Sequence, residues 1–181
     1  EAKRPNIESV TSHLEDAEME VWREPKGVAA LVTPWNFPSA MLTRKASAAL
    51  AAGCTVVAHP SHETPLSALA LARLAERAGF PDGVFNVVAG MPDAVVSPWM
   101  EDKRVRVVSF TGSTRVGKML YRKSADTMKH MVLELGGHAP FILFDDADME
   151  LALDEAIKAK FATSGQDCLA ANRFFVHRDV Y

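Results

Sequence analysis

The chain has 181 residues, a length for one domain or two small ones, and 48% of them are hydrophobic while 24% are charged. This composition is typical of a globular chain that can bury a core. Twenty basic and 23 acidic residues give a formal net charge of −3, which is too balanced for a nucleic-acid or membrane-surface binder. No window approaches the roughly 18 consecutive apolar residues of a membrane span. We therefore expect neither a nucleic acid nor a membrane as partner.

The two cysteines, Cys54 and Cys168, form no short-spaced pair with each other or with a histidine. This spacing argues against a disulfide scaffold and a zinc finger, and it favours a reducing, intracellular compartment. Cys54 stands in an apolar run and is predicted to be a core residue, whereas Cys168 stands in a polar loop, where a thiol is more often reactive. His59 and His62 could suggest a metal, but Pro60 between them disrupts a helical face. With no third ligand evident, we expect no metal site.

Short apolar runs alternate with helical patterns along most of the chain. The apolar runs predict strands at residues 28–33, 55–58, 84–88, 105–110, 131–135, 141–144 and 174–177. Buried strands that alternate with amphipathic helices indicate a mainly parallel sheet covered on both faces. The predicted fold is therefore a doubly wound, Rossmann-like α/β domain followed by the start of a second α/β domain. Ligands of such sheets bind beyond the carboxyl ends of the strands.

Two helices are predicted from their start and stop signals. The first begins after Thr64, an N-cap residue followed by Pro65, and stops at Gly79. The second opens at Asp148 and runs to about Phe161. The residues expected to face inward are Leu66, Leu69, Ala70 and Leu74 in the first helix and Met149, Leu153, Ala156 and Ile157 in the second.

Several residues capable of chemistry stand at the ends of predicted elements, and each has an ordinary structural interpretation as well. Asn36 is a hydrogen-bond donor fixed between two prolines, or part of a rigid turn. Glu134 ends an apolar strand, where a carboxylate reaches solvent or serves a cleft. Cys168 is a packed residue or a nucleophile. Gly112 and Gly117 allow the backbone to approach a phosphate at a helix N-terminus, or they form a tight turn.

The order and spacing of these segments resemble the aldehyde dehydrogenase superfamily over residues 24–181. The motifs that carry the resemblance are TPWNFP at 33–38, FTGST at 110–114, ELGG at 134–137 and GQDC at 165–168. Three further stretches look most like succinate-semialdehyde dehydrogenases: TRKA at 43–46, ALAAGCT at 49–55 and GHAPFILFDDAD at 137–148. The resemblance implies an N-terminal arm or bridging segment at 1–24, an NAD(P)-binding domain at 25–135 and the beginning of a catalytic domain at 136–181.

The resemblance also implies a reaction, the oxidation of a small-molecule aldehyde to the carboxylic acid with NAD or NADP. Succinate semialdehyde or a similar semialdehyde is the implied substrate. Cys168 would be the nucleophile that forms a thiohemiacetal and then a thioester. Asn36 and the backbone N–H of Cys168 would stabilise the oxyanion. Glu134 would activate the water that hydrolyses the thioester.

A cofactor site made of residues from several segments is implied as well. At the position of His59 the family usually carries a lysine that bonds the adenosine ribose. At His62 many NAD-preferring members carry a glutamate that repels a 2′-phosphate. Both substitutions are compatible with NADP as well as with NAD. The residues assigned to the cofactor are Thr33, Pro34, Trp35, His59, Ser61, His62, Thr111, Gly112, Ser113, Gly117, Leu135 and Gly136.

Family members are much longer than this chain, so we expect a central fragment with little or no activity by itself. The full enzyme is expected to be a cytoplasmic homodimer or homotetramer. Two alternatives stay open. Relatives that pass the thioester to coenzyme A or reduce an acyl phosphate commonly lack the deacylating glutamate, so Glu134 argues against them. A non-catalytic nucleotide-binding or structural module needs none of Asn36, Glu134 and Cys168, although His59 and His62 are compatible with it.

Overall fold

The structure, a computed structural model, describes residues 11–16 and 18–181. The predicted arm at residues 1–24 lies partly outside the described residues, and its described part contains no helix or strand. The chain divides into two compact units, the first ending at Glu134 and the second comprising Leu135–Tyr181. Within the described ranges, no helix combines the length and the apolar character that crossing a membrane requires.

Strands and helices alternate along the chain. The first unit contains β1 (Val28–Thr33), α1 (Pro38–Ala51), β2 (Val56–Pro60), α2 (Pro65–Arg77), β3 (Phe85–Val87), α3 (Pro92–Glu101), β4 (Val105–Gly112) and α4 (Thr114–Ser124). The strand β5 (His130–Leu135) ends at the boundary between the units. The second unit contains β6 (Ala139–Leu143), α5 (Met149–Phe161) and β7 (Ala171–Val176). All seven predicted strands are present, and the largest change is in β7, which begins at Ala171 rather than at Phe174.

The central sheet has the strand order β3-β2-β1-β4-β5, and β1 is parallel to both of its neighbours. The chain moves outward from β1 to β2 and β3, then returns to place β4 on the other side of β1. Because parallel crossovers are right-handed, this reversal puts α1 and α2 on one face of the sheet and α3 on the other. The predicted α/β fold with a mainly parallel sheet is confirmed. Strands β6 and β7 form a separate parallel pair.

The main core lies between the sheet and the helices α1 and α2. Every second residue of β1 and β2 points to this face because side chains alternate along a strand. Small side chains predominate in the cluster, which lets the helices lie close to the strands. The buried members are Ala29, Leu31, Leu42, Ala46, Cys54, Val56, Ala58 and Ala68. Cys54 is therefore a core residue, as predicted.

The inward face predicted for α2 is wrong. Leu66, Leu69 and Leu74 are 76%, 41% and 55% exposed, and Ala70 is exposed as well. The helix packs instead through Ala68, which is fully buried, and through other residues of the same stripe. Leucine side chains occur on two faces of this helix. The face that contains Ala68 meets the sheet, because the small alanine side chain allows the helix to approach the strands more closely.

The helix α5 begins as predicted, but its predicted inward face is also wrong. The Asp148 carboxylate accepts hydrogen bonds from the backbone N–H groups of Glu150 and Leu151, both at 3.1 Å. The side chains of Leu153 and Ile157 are nevertheless 64% and 52% exposed, as is much of Met149, and Ala156 is only half-buried. The second unit by itself has one α-helix and two strands, which offer too little surface to cover this face.

A buried lysine holds together the turns before β4 and β5. Lys129 is 6% exposed, and its Nζ donates hydrogen bonds to the carbonyl oxygens of Asp102 at 2.7 Å and Val105 at 2.8 Å. Burial lowers the pKa of the Lys129 ammonium, and the nearby Asp102 carboxylate partly opposes that change. The Lys129 ammonium therefore provides a hydrogen-bond donor to two backbone carbonyl groups.

We predict that Lys129→Met lowers the free energy of unfolding by about 1–3 kcal/mol, because two carbonyl groups lose a charged donor. Urea denaturation followed by circular dichroism measures this loss. The matched control is Lys103→Met, since Lys103 is exposed, and it should change the free energy of unfolding by less than about 0.5 kcal/mol. Equal effects of the two variants would contradict the role assigned to Lys129.

Candidate cofactor and active site

A cavity of about 510 Å³ lies in the first unit, beside the carboxyl ends of β1, β2 and β4. Its volume is in the range of small-molecule and cofactor sites. The order of the sheet reverses between β1 and β4, and ligands of open α/β sheets bind at such a reversal. The cavity therefore occupies the position at which this fold binds ligands.

The cavity brings together nine of the twelve residues predicted to bind the cofactor, which come from three segments of the sequence. They are Thr33, Pro34, Trp35, His59, Ser61, His62, Thr111, Gly112 and Ser113. Of the other three, Gly117 is buried in the first turns of α4. Leu135 ends β5 and the exposed Gly136 follows it, and both belong to the second unit.

Residues of α3 and α4 that the sequence analysis did not identify form another part of the cavity wall. Arg115 and Lys123 supply positive charge and Asp93 supplies one carboxylate. The Lys123 Nζ donates to the Ser97 hydroxyl at 3.4 Å, which connects α4 to α3. Pro92 at the first turn of α3 is a sequence signal for this helix, and Pro98 inside the helix opposes it.

Three buried polar atoms of the lining have no hydrogen-bond partner among the described residues: Thr33 Oγ1, His59 Nε2 and Thr111 Oγ1. They stand on β1, β2 and β4, which are neighbours in the sheet. Buried polar atoms in folded proteins are normally hydrogen-bonded, and leaving one unpaired costs about 1–3 kcal/mol. A ligand with hydroxyl and amide groups would satisfy this set, so the lining fits a nicotinamide dinucleotide.

The turn from β4 into α4 provides a place for an anionic group. Ser113 caps the helix by accepting a hydrogen bond from the backbone N–H of Val116 at 3.3 Å. The free N–H groups of the first turn and the Arg115 guanidinium favour negative charge there. Gly112 keeps this turn narrow, since a Cβ atom at this position would stand 2.5 Å from the Cζ atom of Phe110. This arrangement suits a phosphate group or another anion.

The loop that carries Asn36 is linked to the start of α2. Asn36 is half-buried and lies directly before α1, while the neighbouring Trp35 is 40% exposed and lines the cavity. Thr64 occupies the predicted N-cap position, but its hydroxyl does not cap its own helix. It donates instead to the carbonyl oxygen of Trp35 at 3.3 Å. The hydroxyl that was predicted to cap α2 therefore joins the start of α2 to the loop that carries Asn36.

Glu134, the predicted base, has a cation in its electrostatic surroundings. Glu134 is exposed near the end of β5. Burial lowers the pKa of the Lys45 ammonium, the negative charge of Glu134 partly opposes that change, and Arg44 adds to it. The Lys45 Nζ donates to the Ser109 hydroxyl on β4 at 2.9 Å. The charge of Glu134 therefore acts on the Lys45 ammonium through space, an interaction that the sequence analysis missed.

Cys168 is exposed in the loop that precedes β7 in the second unit. The backbone before it is unusual, because Thr163 and Ser164 have φ angles of 52° and 59° and Gly165 has 71°. A β-branched residue rarely adopts this left-handed conformation, and such residues cluster at functional sites. Cys54 is buried, so Cys168 is the accessible thiol of the two.

A histidine and two aspartates of the second unit also lie close together, although the sequence analysis expected no metal site. One potential ligand atom each from Asp145, His177 and Asp179 falls within 4.8 Å of the others. All three residues are exposed, and exposed acidic groups commonly lie close together without a bound ion. No further observation among the described residues points to an ion there.

The whole sequence, residues 1–181, matches the aldehyde dehydrogenase family. The chain belongs to this family. A semialdehyde-acting member is among the curated relatives, the non-phosphorylating aspartate-semialdehyde dehydrogenase of Halomonas elongata, which is 56% identical over 181 residues. The succinate-semialdehyde dehydrogenase [NADP(+)] of Escherichia coli is 51% identical over the same length. The alignments cover 100% of this chain but only 37% and 38% of those proteins.

A solved structure supports the fold of this aldehyde dehydrogenase family member. The crystal structure of an aldehyde dehydrogenase from Brucella melitensis biovar abortus superposes with a TM-score of 0.94 at 49% identity. The superposition covers 99% of this chain and 37% of that one. The predicted family and its semialdehyde-acting relatives are thus confirmed. The individual roles assigned to Cys168, Glu134 and Asn36 stay predictions.

We predict that Gly112→Ala lowers the free energy of unfolding by about 1–3 kcal/mol, because the added methyl group forces Phe110 and the turn to move. Differential scanning calorimetry would show a lower melting temperature. Gly137→Ala is the control, since nothing lies within 4 Å of a Cβ atom there. A Gly112→Ala protein as stable as the control would contradict the tight packing of this turn.

Proposed function

We propose that the protein belongs to an NAD(P)-dependent enzyme that oxidises a semialdehyde to the corresponding carboxylic acid. The observation that carries the proposal is the cavity at the carboxyl edge of the sheet, where nine residues assigned to the cofactor meet. Membership of the aldehyde dehydrogenase family gives the reaction type. The names of the two relatives, which act on aspartate and succinate semialdehydes, support a semialdehyde as the substrate class.

In this proposal the cavity residues bind the dinucleotide, which accepts a hydride when bound. Ser113 and the first turn of α4 hold the pyrophosphate, with Arg115 as a counter-charge. The hydroxyls of Thr33 and Thr111 are available for polar groups of the cofactor, because both are buried and lack a protein partner among the described residues. The family resemblance alone assigns Leu135, Gly136 and Gly117 to the same cofactor.

The chemistry of the aldehyde is assigned to three residues. The Cys168 thiolate adds to the carbonyl carbon, forming a C–S bond while the carbonyl oxygen takes up the electron pair. Asn36 and the backbone N–H of Cys168 donate hydrogen bonds to that oxygen. After oxidation, Glu134 takes a proton from a water molecule, which attacks the thioester and releases the acid and the Cys168 thiol. The exposure of Cys168 supports its role as the nucleophile, and the exposure of Glu134 leaves its carboxylate accessible to water.

A second candidate function is a nucleotide-binding module without turnover. It is favoured by one observation: all residues of the cavity belong to the first unit, which excludes Cys168. Cofactor binding without reaction would then be the property of this chain. The expectations of little activity in the 181-residue chain, of a cytoplasmic location and of a homodimer or homotetramer stay predictions.

The first test is cofactor binding. We expect titration with NAD or NADP to quench the tryptophan fluorescence saturably, with a dissociation constant between about 1 µM and 1 mM. Trp35→Phe should remove much of the change because Trp35 lines the cavity, whereas Trp22→Phe should keep it because Trp22 is 78% exposed elsewhere. Absence of any saturable change at millimolar concentrations of both cofactors would contradict the proposed site.

The second test is the reactivity of the predicted nucleophile. We expect iodoacetamide to label Cys168 at least about tenfold faster than Cys54, since only Cys168 is exposed. Mass spectrometry of the digested protein reads both sites in one sample, and a Cys168→Ser variant gives the background. Equal and slow labelling of the two thiols would favour the module without turnover.

A further inference from the structure

Asp167 stands directly before Cys168, and its carboxylate is fixed on the same turn of the chain. The Oδ1 atom of Asp167 accepts a hydrogen bond from the backbone N–H of Leu169 at 3.0 Å. The backbone N–H of Ala170 donates to the carbonyl oxygen of Asp167 at 3.1 Å. These two bonds close a turn that has Cys168 inside it, and a side-chain bond of this kind is typical of aspartate in turns. The carboxylate is therefore held beside the residue that bears the thiol.

The covalent geometry of the turn limits how far this carboxylate lies from Cys168. The backbone nitrogen of Leu169 is about 2.4 Å from the Cα atom of Cys168, so Asp167 Oδ1 lies within about 5.5 Å of that Cα atom. This distance is shorter than the Debye length of about 8 Å at physiological ionic strength. The negative charge of Asp167 therefore acts on any charged molecule that approaches the exposed Cys168 thiol.

No cation is paired with this carboxylate in the part of the chain that the structure describes. Asp167 is half-buried and forms no ion pair with a described residue. Of the four lysine and arginine side chains in the second unit, Arg178 lies beyond the far end of β7. The other three donate hydrogen bonds to other groups: Lys158 to the Glu155 carboxylate, Lys160 to the Asn172 side chain and Arg173 to the His138 carbonyl oxygen. Asp167 thus contributes an unpaired negative charge to the surroundings of Cys168.

We infer that Asp167 is a specificity-determining residue, whose negative charge directs Cys168 toward electrophiles that carry a positive charge and away from those that carry a negative charge. The inference rests on the proposed function, since it concerns the aldehyde that Cys168 attacks. Among semialdehydes, the favoured class carries an ammonium group near the aldehyde, and the disfavoured class carries only a carboxylate. Like charges that lie close together oppose binding, and this discrimination acts through space without a direct contact.

The test uses two thiol reagents that differ in charge but share one reactive group. They are the methanethiosulfonates with a 2-(trimethylammonio)ethyl group, which is a cation, and with a 2-sulfonatoethyl group, which is an anion. In both reactions the Cys168 thiolate attacks the sulfur that bears the ethyl group, a new S–S bond forms, and methanesulfinate leaves with the electron pair of the broken bond. Mass spectrometry of the digested protein gives the rate at Cys168. Both rates depend equally on the fraction of thiolate, so a change in their ratio isolates the effect of charge.

We expect Asp167→Asn to lower the ratio of the cationic to the anionic rate by about three- to tenfold at low ionic strength. The asparagine keeps an oxygen acceptor for the Leu169 N–H and removes only the charge. Sodium chloride at about 0.5 M should lower the ratio of the unaltered protein towards that of the variant, because salt screens the charge. Asp154→Asn is the matched control, since it makes the same change in net charge at an exposed position on α5, and it should keep the ratio within about twofold.

Circular dichroism checks that both variants fold. An unchanged ratio in Asp167→Asn, or an equal decrease in Asp154→Asn, would overturn the inference while leaving the proposed function intact. Slow and equal labelling of Cys54 and Cys168 by both reagents would contradict the nucleophile assigned in the proposed function, and the inference would fail with it.

Discussion

The parallel pairing of β1 with β2 on one side and with β4 on the other is the constraint on which the cavity depends. Thr33 pairs with Pro60 and Val32 with Phe110, so the ends of three strands meet at one edge. Residues far apart in the sequence become neighbours there for purely topological reasons. The pairing also forces the reversal of the winding direction, which opens a space beside β1 that no crossover fills.

This arrangement lowers the stability of the folded protein, because three buried polar atoms of the cavity wall are left unpaired. Thr33, His59 and Thr111 are all placed on well-packed strands, where a hydrophobic side chain would be more stabilising. A ligand that supplies their hydrogen bonds stabilises the folded state by linkage, by an amount that grows with the logarithm of its concentration relative to its dissociation constant. The unpaired polar atoms therefore lower the stability of the folded protein when the cavity is empty, and they contribute to its stability when a ligand pairs with them.

The sequence predicted those parts of the structure for which one interpretation was clearly better than the others. The strands were recognised because continuous apolar runs between turn residues suit a buried parallel sheet. The buried faces of α2 and α5 were mistaken because leucine and isoleucine lie on several stripes and the sequence does not say which stripe meets the sheet. Ala68, the residue that α2 buries, has the least conspicuous side chain of its helix.

The candidate site was predictable to a similar degree. Sequence motifs identified the residues at the strand ends, because the carboxyl ends of parallel strands lie at one edge of the sheet. The contribution of α3 was missed, since Pro98 obscures a helical pattern. Lys45 was missed for a different reason: the effect of Glu134 on its ammonium acts through space between α1 and β5, and no local spacing encodes it. The contact of the His59 Nδ1 atom with the Val88 carbonyl oxygen likewise joins residues that lie 29 positions apart in the sequence.

The hydroxyl of Thr64 has a consequence for the way in which the first unit responds to a ligand. Its bond to the Trp35 carbonyl connects the segment after β2, with Ser61 and His62, to the loop that carries Asn36. A molecule that immobilises one segment reduces the conformational entropy still to be lost by the other. A ligand that contacts Ser61 and His62 in the cavity would therefore also restrict the loop of Asn36, which does not line the cavity itself.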